Sequence, residues 1–202
     1  MVRDGIPYVM VPMLLAAAAL ALKLWPLVVL FLLLAAFMAF FFRDPKRIPP
    51  GEPGLVVAPA DGKVTLIRRG DGEAGKCLVS IFLSPLDVHI NRAPIAGTIT
   101  DIRYSKGKFL MATSPQASSV NEQNALTLEG KELTVGCVQI AGILARRIVC
   151  WKKPGESVQR GERFGMIKFG SRTDLVLPLS VEVLVREGMH VRGGETVIAR
   201  IR

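Results

Sequence analysis

The sequence predicts a mainly β fold, an internally doubled barrel-sandwich, preceded by an amino-terminal transmembrane helical hairpin. Residues 6–42 carry a single charge, Lys23, although 21% of the whole chain is charged. After residue 48, short runs rich in Val, Ile, Leu and Thr alternate with Gly, Pro and Asp, a pattern typical of strands and turns. The runs expected to form strands are 63–67, 77–83, 97–103, 135–140, 147–151 and 179–185. We therefore expect a membrane hairpin over 1–47 and a β-rich domain over 48–202.

The hairpin is predicted from two apolar runs, residues 6–22 and 25–42. The segment that joins them, residues 23–26, contains a charge, an aromatic residue and a proline. Each run is at the short end of the about 17–25 residues that a helix needs to cross a bilayer. Positive charge flanks both outer ends, at Arg3 and in the segment 43–47, whereas the tip carries only Lys23. Because cytoplasmic flanks are enriched in Lys and Arg, we expect both ends and the following domain on the cytoplasmic side of the cell membrane. One long tilted helix, or a hairpin that dips into the bilayer and returns, is the alternative.

Two short patterns occur twice in the second part. Residues 58–64 and 93–99 both read A-P-x-x-G-x-(V/I), and residues 155–162 and 188–195 both read G-x-x-V-x-x-G-E. Glycine permits tight turns, so the copies are expected to form equivalent corners of a β-barrel or sandwich. Both patterns resemble those of biotinyl- and lipoyl-carrier domains, but the sequence lacks the modifiable lysine between methionines that a carrier needs. The doubling therefore predicts architecture rather than function.

The composition favours an anionic partner. Lys plus Arg number 26 against 17 Asp plus Glu, a formal net charge of +9. Only two Tyr and two Trp are present, and no basic stripe is interleaved with aromatics, so we expect a membrane surface and no nucleic acid. The three cysteines form no C-x-x-C pair and only two histidines, His89 and His190, exist, which predicts reduced thiols and no metal site.

A Gly-Ser pair, Gly170 and Ser171, lies between two apolar runs about 30 residues from the carboxy terminus. Taken alone, such a pair is most often part of an ordinary turn. Its interpretation therefore depends on the segments that accompany it.

Those segments resemble the phosphatidylserine decarboxylase family, in its short, membrane-anchored, archaeal-type branch, over nearly the whole chain. Besides the hydrophobic hairpin, the matching pieces are 59–62 (P-A-D-G), 84–94 (S-P-L-D-V-H-I-N-R-A-P), 121–122 (N-E), 138–142 (V-Q-I-A-G), 146–148 (R-R-I) and 169–171 (F-G-S). No single piece is specific, but the set is specific in its order and spacing.

The resemblance implies a pyruvoyl-dependent lyase that is made as a zymogen. Ser171 would attack the carbonyl of Gly170, which requires a base for the hydroxyl proton and a donor for the oxyanion. Elimination would then leave a pyruvoyl group at position 171 and separate chains 1–170 and 171–202, which stay together as a heterodimer. The pyruvoyl ketone would form a Schiff base with the serine amine of phosphatidylserine and take up the electron pair as CO2 leaves. Phosphatidylethanolamine is the expected product.

Asp87 and His89 are the candidate acid and base. They are two residues apart, which on a strand places both side chains on one face, and an acid that orients an imidazole is the general form of triad chemistry. Longer members of the family pair this Asp with a histidine well downstream, but residues 125–150 contain no histidine. The base is therefore His89 or another group. A structural hydrogen-bonded pair at a strand end is the alternative.

Four further residues, Asn91, Arg92, Arg146 and Arg147, are weaker candidates for substrate binding, because guanidinium groups suit the phosphate or carboxylate of a headgroup. A charged strand edge explains them equally well. The segment 106–119 combines two lysines with the apolar run F-L-M. It either dips into the headgroup layer beside the site or packs its tip against the domain.

Other functions stay open at this point. The same chemistry on another serine-headgroup lipid, archaetidylserine, is one, and a non-catalytic membrane-tethered barrel is another. Only the enzyme would run as two pieces. Each Lys or Arg near anionic lipid contributes about 1 kcal/mol, so the basic segment after the hairpin favours a lipid over the small amino acids of soluble pyruvoyl enzymes. The sequence leaves self-association into a homo-oligomer open.

Overall fold

The computed structural model describes residues 1–70, 75–114, 116–143, 147–168 and 170–201. The chain divides into two compact units, Met1–Lys46 and Arg47–Arg202. The predicted boundary follows Arg47, one residue later than this division. Arg47 belongs to the second unit because its guanidinium binds the carboxylates of Asp61 at 2.6 Å and Glu195 at 2.8 Å.

The first unit is a helical hairpin, as predicted. After a 3-10 turn at Arg3–Gly5, helix α1 covers Ile6–Ala21 and helix α2 covers Trp25–Phe41. Both helices have a proline in their first turn, where the missing N–H has no intrahelical partner to lose. The two ends of the hairpin meet, since the amide of Val2 donates to the carbonyl of Phe42 at 3.1 Å.

The apolar surface of this unit suits a bilayer. Together with its preceding turn, the first helix runs from Arg3 to Ala21, 19 residues, and is long and apolar enough to cross a membrane by length and composition. The second, Trp25–Phe41, is equally apolar but shorter at 17 residues. The first helix is thus a candidate membrane span, which agrees with the predicted membrane association.

The second unit is mainly β, which confirms the predicted fold class. Its strands are β1 Leu55–Val57, β2 Gly62–Arg69, β3 Lys76–Leu83, β4 Ile90–Arg92, β5 Gly97–Ser105, β6 Gln123–Glu129, β7 Thr134–Ala141, β8 Ile148–Cys150, β9 Ser157–Val158, β10 Arg163–Ile167, β11 Ser171–Pro178, β12 Val181–Val183, β13 His190–Val191 and β14 Val197–Ile201. An eight-stranded curled sheet has the order β13-β2-β3-β11-β7-β6-β5-β9, and two three-stranded sheets have the orders β1-β14-β12 and β4-β10-β8. A short helix, α3 (Ala117–Val120), lies between β5 and β6.

The predicted internal doubling is confirmed by the strand pairing. Strands β2 and β5 each begin at the glycine of A-P-x-x-G, and each pairs with an edge strand from one copy of G-x-x-V-x-x-G-E. Gly62 lies opposite Val191, and Gly97 lies opposite Val158. These pairs occupy opposite ends of the eight-stranded sheet, so the approximate twofold relation passes between β11 and β7, its two central strands.

The corners repeat the same backbone hydrogen bonds. Gly161 donates to the carbonyl of Ala93 at 2.8 Å, and Gly194 donates to that of Ala58 at 2.8 Å. Both glycines have positive φ, +77° and +81°, a conformation that L side chains rarely adopt. The sequence repeat therefore encodes a turn, as predicted. Inside the curled sheet the core is almost wholly aliphatic, and its largest buried members include Ile81, Leu83, Leu126, Leu128 and Phe164.

Candidate active site

The Gly-Ser pair lies at the start of a central strand. Ser171 is the first residue of β11 and faces Leu83 of β3 on one side and Ala141 of β7 on the other. It is fully buried, and its Oγ has no hydrogen-bond partner among the described residues. A buried hydroxyl without a partner costs about 1–3 kcal/mol. Among the described residues, the Ser171 hydroxyl thus has no structural hydrogen bond that would have to break before it reacted.

The carbonyl of Gly170, directly before Ser171, lies against another segment of the backbone. Gly170 has φ of +61°, in the left-handed region. Its carbonyl oxygen lies so close to Gly142, the residue after β7, that a Cβ atom at position 142 would collide with it. Only a glycine at 142 permits this approach. A backbone segment thus passes directly beside the carbonyl that Ser171 would attack.

The ring of His89 reaches the same peptide unit. Its Nδ1 lies 3.0 Å from the carbonyl oxygen of Asp87, and its Nε2 lies 3.3 Å from the amide nitrogen of Gly170. A carbonyl only accepts, so Nδ1 carries the proton and Nε2 presents its lone pair to the Gly170 N–H. The side chain is fully buried. His89 is therefore fixed as the neutral tautomer with a basic nitrogen one residue before Ser171.

The geometry of Asp87 differs from the prediction. Asp87 and His89 do not lie on a strand, since β4 begins only at Ile90. Asp87 closes a turn instead: its amide donates to the carbonyl of Ser84 at 2.9 Å, and its carboxylate accepts from the amide of Ser84 at 2.8 Å. The group that binds Nδ1 is the Asp87 carbonyl. Asp87 orients the imidazole through its backbone, and its carboxylate stabilises the turn that aims this carbonyl.

A buried chain of amide side chains runs beside Ser171. Asn124 donates to Gln139 at 2.9 Å, Gln139 donates to Asn91 at 2.9 Å, and Asn91 donates to the hydroxyl of Thr173 at 3.0 Å. All four are buried. Because Ser171 and Thr173 are two residues apart on β11, they project from the same face of the sheet. The chain of amides therefore ends on the same face of β11 as Ser171, two residues away.

On the opposite face of β11, Arg172 and Asp174 form a buried ion pair. Arg172 Nε lies 2.8 Å from Asp174 Oδ1, and a terminal guanidinium nitrogen lies 2.9 Å from Oδ2. The other terminal nitrogen donates to the carbonyl of Ala112 at 3.3 Å and so ties the loop before α3 to the site. Burial, and then the nearby Asp174 carboxylate, raise the pKa of the Cys137 thiol. That thiol stays protonated at neutral pH.

The weaker substrate-binding candidates separate into three groups. Asn91 uses its amide in the buried chain, and Arg92 is buried and donates to the carbonyl of Gly161 at 3.1 Å. The geometry thus favours the structural alternative for both. Arg147 is exposed, and its carbonyl accepts from the amide of Lys168, two residues before Gly170, so its backbone lies near the Gly-Ser pair. Arg146, like Phe169 of the F-G-S segment, lies outside the described residues.

The loop over 106–119 is both packed and exposed. Phe109 packs on Ala141 and Ile167, while Met111 is exposed. Asn121 holds the loop, because its side chain accepts from the amide of Leu110 at 2.9 Å and donates to the carbonyls of Leu110 and Ala141 at 2.8 Å each. The loop therefore covers the end of β7, next to Ser171.

Several residues of this site were not singled out from the sequence: Asn124, Gln139, Gly142, Thr173 and Asp174. Gln139 and Gly142 both lie in the matching segment 138–142. In addition, Gln139 is a polar residue inside an apolar strand, which could have drawn attention to it. Among the residues that the structure describes, no cluster of three or more His, Cys, Asp or Glu side chains could hold a metal ion.

Comparison with known proteins identifies relatives along most of the chain. A family model described as phosphatidylserine decarboxylase matches residues 34–199. A phosphatidylserine decarboxylase proenzyme of Pelodictyon phaeoclathratiforme is 48% identical over 191 residues, covering 92% of this chain and 90% of the relative. A proenzyme of the same name from Desulfotalea psychrophila is 42% identical, over 98% of this chain and 95% of the relative. Another, from Nocardia farcinica, is 45% identical, over 98% of this chain and 86% of the relative.

Proposed function

The chain belongs to the phosphatidylserine decarboxylase family, and on this premise we propose that it cleaves itself between Gly170 and Ser171 and then converts phosphatidylserine to phosphatidylethanolamine and CO2. The proenzyme names of the relatives support a precursor that is processed. The observation that carries the proposal is the fully buried Oγ of Ser171, which has no hydrogen-bond partner among the described residues and directly follows the left-handed Gly170.

The residues present fit a pyruvoyl group derived from Ser171. Cleavage begins when Ser171 Oγ attacks the carbonyl carbon of Gly170, and the peptide C–N bond then breaks to leave an ester and a free amine at residue 171. The left-handed Gly170 and the approach of the Gly142 backbone support this step, because polar backbone lies against the Gly170 oxygen, on which the negative charge would develop.

His89 is the proposed base for this attack. Its Nε2 is unprotonated and lies against the Gly170 amide, one residue from the hydroxyl whose proton it would take. The Asp87 carbonyl, which accepts from Nδ1–H, also stabilises the imidazolium that results.

The second step of processing breaks the ester. Loss of the α-proton of residue 171 expels the carboxylate of Gly170, which becomes the new carboxy terminus, and leaves dehydroalanine. Water then replaces its nitrogen, which leaves as ammonia. The resulting pyruvoyl ketone supplies an electron sink for the decarboxylation of an amino acid headgroup. Processing thus needs no oxidant or reductant.

The two products are expected to remain one molecule. Strand β11 pairs along all eight of its residues with β3 and along six with β7, and the following strands β12 and β14 join the sheet that contains β1. A chain 171–202 therefore stays bound to a chain 1–170 through backbone hydrogen bonds on both sides of β11 and through its buried aliphatic residues.

The substrate is proposed to be an anionic phospholipid reached from the cytoplasmic face of the cell membrane. The candidate membrane span supports the lipid, and the exposed Arg147, whose carbonyl binds the amide of Lys168 near Gly170, carries a guanidinium that suits its phosphate or carboxylate. The two helix ends of the hairpin meet beside Arg3, Arg43 and Lys46, whereas Lys23 lies alone at the tip. This charge asymmetry supports the cytoplasmic side.

Intact-mass analysis of the purified chain tests the proposal. The wild type should yield two species that meet between residues 170 and 171, and the smaller should lack a free amine, whereas Ser171→Ala should stay whole. Ser80→Ala is the matched control, since Ser80 is also buried with an unpartnered hydroxyl but should not affect cleavage. A wild type that decarboxylates phosphatidylserine while its 170–171 amide is intact would refute the proposal.

A further inference from the structure

Three large apolar side chains are exposed around the Gly170–Ser171 peptide. Leu86, Met111 and Ile143 are 66%, 62% and 58% exposed. Single exposed hydrophobic residues are normal on any protein surface, so exposure alone would mean little. Their grouping is what requires an explanation.

Each of the three is the chain neighbour of a residue at the site. Leu86 precedes Asp87, whose carbonyl binds His89. Met111 precedes Ala112, whose carbonyl accepts from Arg172.

Ile143 follows Gly142, which lies against the carbonyl of Gly170, and a Cβ at Gly142 would be 3.4 Å from that of Ala112. Three separate loops, each with an exposed apolar residue next in the chain to a residue of the site, therefore approach the Gly170–Ser171 peptide. We call Leu86, Met111 and Ile143 the apolar rim.

The apolar rim is held outward by the surrounding hydrogen bonds. The turn that contains Leu86 is closed by two bonds between Ser84 and Asp87. Asn121 binds both backbone groups of Leu110, directly before Met111. These bonds fix the backbone beside Leu86 and Met111, and all three rim side chains are exposed.

Basic groups flank the rim. Lys106 and Lys108 are exposed on the Met111 loop, and Arg147 is exposed four residues after Ile143. Apolar tips surrounded by Lys and Arg are the pattern of surfaces that enter the headgroup layer of an anionic membrane. A protein partner would be matched less well, because stable protein interfaces tend to exclude lysine from their centre.

We propose that the apolar rim inserts into the surface of an anionic bilayer, so that the catalytic site faces lipid directly and a headgroup enters it without leaving the membrane. This inference deepens the proposed function and rests on it for the identity of the substrate. The contact with lipid, however, is a property of the surface alone and is expected in uncleaved protein too.

The direct test uses the full chain in vesicles of phosphatidylcholine and phosphatidylglycerol. Met111→Cys is labelled with the polarity-sensitive fluorophore NBD, and Leu179→Cys serves as the matched control. Leu179 is also an exposed leucine, 46% exposed, but it follows the far end of β11, about 23 Å from Ser171. Wild type labelled in parallel corrects for reaction at the half-buried Cys150.

We expect the label at position 111 to shift to the blue and to be quenched by spin-labelled lipid, and the label at 179 to do neither. The same result is expected in a Ser171→Ala background, so a failure of self-cleavage would not obscure it. An equal response at both positions, or none at 111, would overturn the proposal. So would a shift that grows with protein concentration in micelles without lipid, because it would show a second copy of the chain at the rim.

An activity ratio gives a second readout. In the triple variant Leu86→Ser, Met111→Ser, Ile143→Ser, turnover of phosphatidylserine in vesicles, divided by turnover of a dispersed short-chain analogue, should fall by about tenfold. The control Leu179→Ser, Leu184→Ser removes two exposed leucines elsewhere and should leave the ratio unchanged. An unchanged ratio in the triple variant would contradict the proposal. If that variant does not fold, the labelling experiment still decides.

Discussion

The Nε2 atom of His89 accepts a hydrogen bond from the amide of Gly170 at 3.3 Å. The two residues are 81 positions apart in the chain, and they meet because β4 and β10 are neighbours in one small sheet and β10 leads directly towards Gly170. This contact joins the S-P-L-D-V-H segment to the F-G-S segment. It therefore explains why two distant motifs belong to one site.

Replacing His89 by alanine should slow self-cleavage by about 100-fold or more, because a positioned general base contributes about 10²–10⁴-fold. The appearance of the 171–202 chain over time, measured by mass spectrometry, is the readout. His190→Ala is the matched control, since the only other histidine of the chain is exposed on edge strand β13. Cleavage of His89→Ala at the wild-type rate would remove His89 from the mechanism.

Gly142→Ala should also block cleavage, for a steric reason. The new Cβ would collide with the Gly170 carbonyl oxygen, and misplacing a reacting atom by about 1 Å costs about 100-fold in rate. Gly136→Ala is a suitable control, because Gly136 lies on the same β7 segment and its Cβ would meet only the side chain of Val176 at 3.2 Å. If Gly142→Ala processes as fast as Gly136→Ala, the close approach is irrelevant to the chemistry.

Gln139→Leu should lower the free energy of unfolding by about 2–4 kcal/mol. The change leaves the Asn124 donor and the Asn91 acceptor buried without their partner, and each such group costs about 1–3 kcal/mol. Thermal unfolding of the full chain in detergent measures the loss. The exposed Gln159 provides the comparison, and Gln159→Leu should change stability by less than about 0.5 kcal/mol. If Gln139→Leu and the wild type had equal melting temperatures, the amide chain would not stabilise the protein.

The last prediction concerns pH. Glu162 ends one copy of the G-x-x-V-x-x-G-E pattern and binds Lys152 at 2.6 Å. Burial raises the pKa of the Glu162 carboxyl, but hydrogen bonds from Lys152 and from the Gln159 amide outweigh it, so the pKa lies below its ordinary value of 4.5. The same partner, working against burial, raises the pKa of Lys152 above 10.5.

Because the pKa of the Glu162 carboxyl is lowered in the folded protein, its contribution to stability is fully present above pH 4.5. That contribution is lost as the pH falls through the pKa of the folded state. A raised lysine pKa contributes stability that is present below 10.5 and is lost as the pH rises. Lys152→Met should therefore lower stability at neutral pH, by about 1 kcal/mol or less for this partly exposed pair, with the difference from wild type closing at both extremes. Lys153→Met, at the exposed neighbouring lysine, should show no such profile. A difference that is constant from acid to alkaline pH would contradict the pairing.

The architecture was predictable because it depends on patterns among residues that are close together in the sequence. An uninterrupted apolar run has few alternatives to a membrane helix, and the break at Lys23 places the turn of the hairpin. The two glycine patterns identify equivalent corners because a positive φ is a property of the residue itself. The predicted strands are also present, although 147–151 and 179–185 are shorter, at Ile148–Cys150 and Val181–Val183.

The candidate site was predictable only in part, because its parts are brought together by pairing between distant strands. Sequence spacing suggested that the Asp87 carboxylate orients His89, whereas the fold uses the carbonyl of Asp87 and commits the carboxylate to a turn. Residue type left substrate binding and a structural role open for Asn91 and Arg92, and the fold shows hydrogen bonds from both side chains to groups inside the protein.

By itself the sequence determined the family, the apolar hairpin and the repeated corners, and it drew attention to the Gly170–Ser171 pair, since each depends on residues that are adjacent or nearly so. Only the tertiary structure decided which nitrogen of His89 faces that pair, that Gly142 lies against the Gly170 carbonyl, and that Leu86, Met111 and Ile143 are exposed on three loops at the site. These relations join residues tens of positions apart, and no local preference of the chain determines a distance across a sheet.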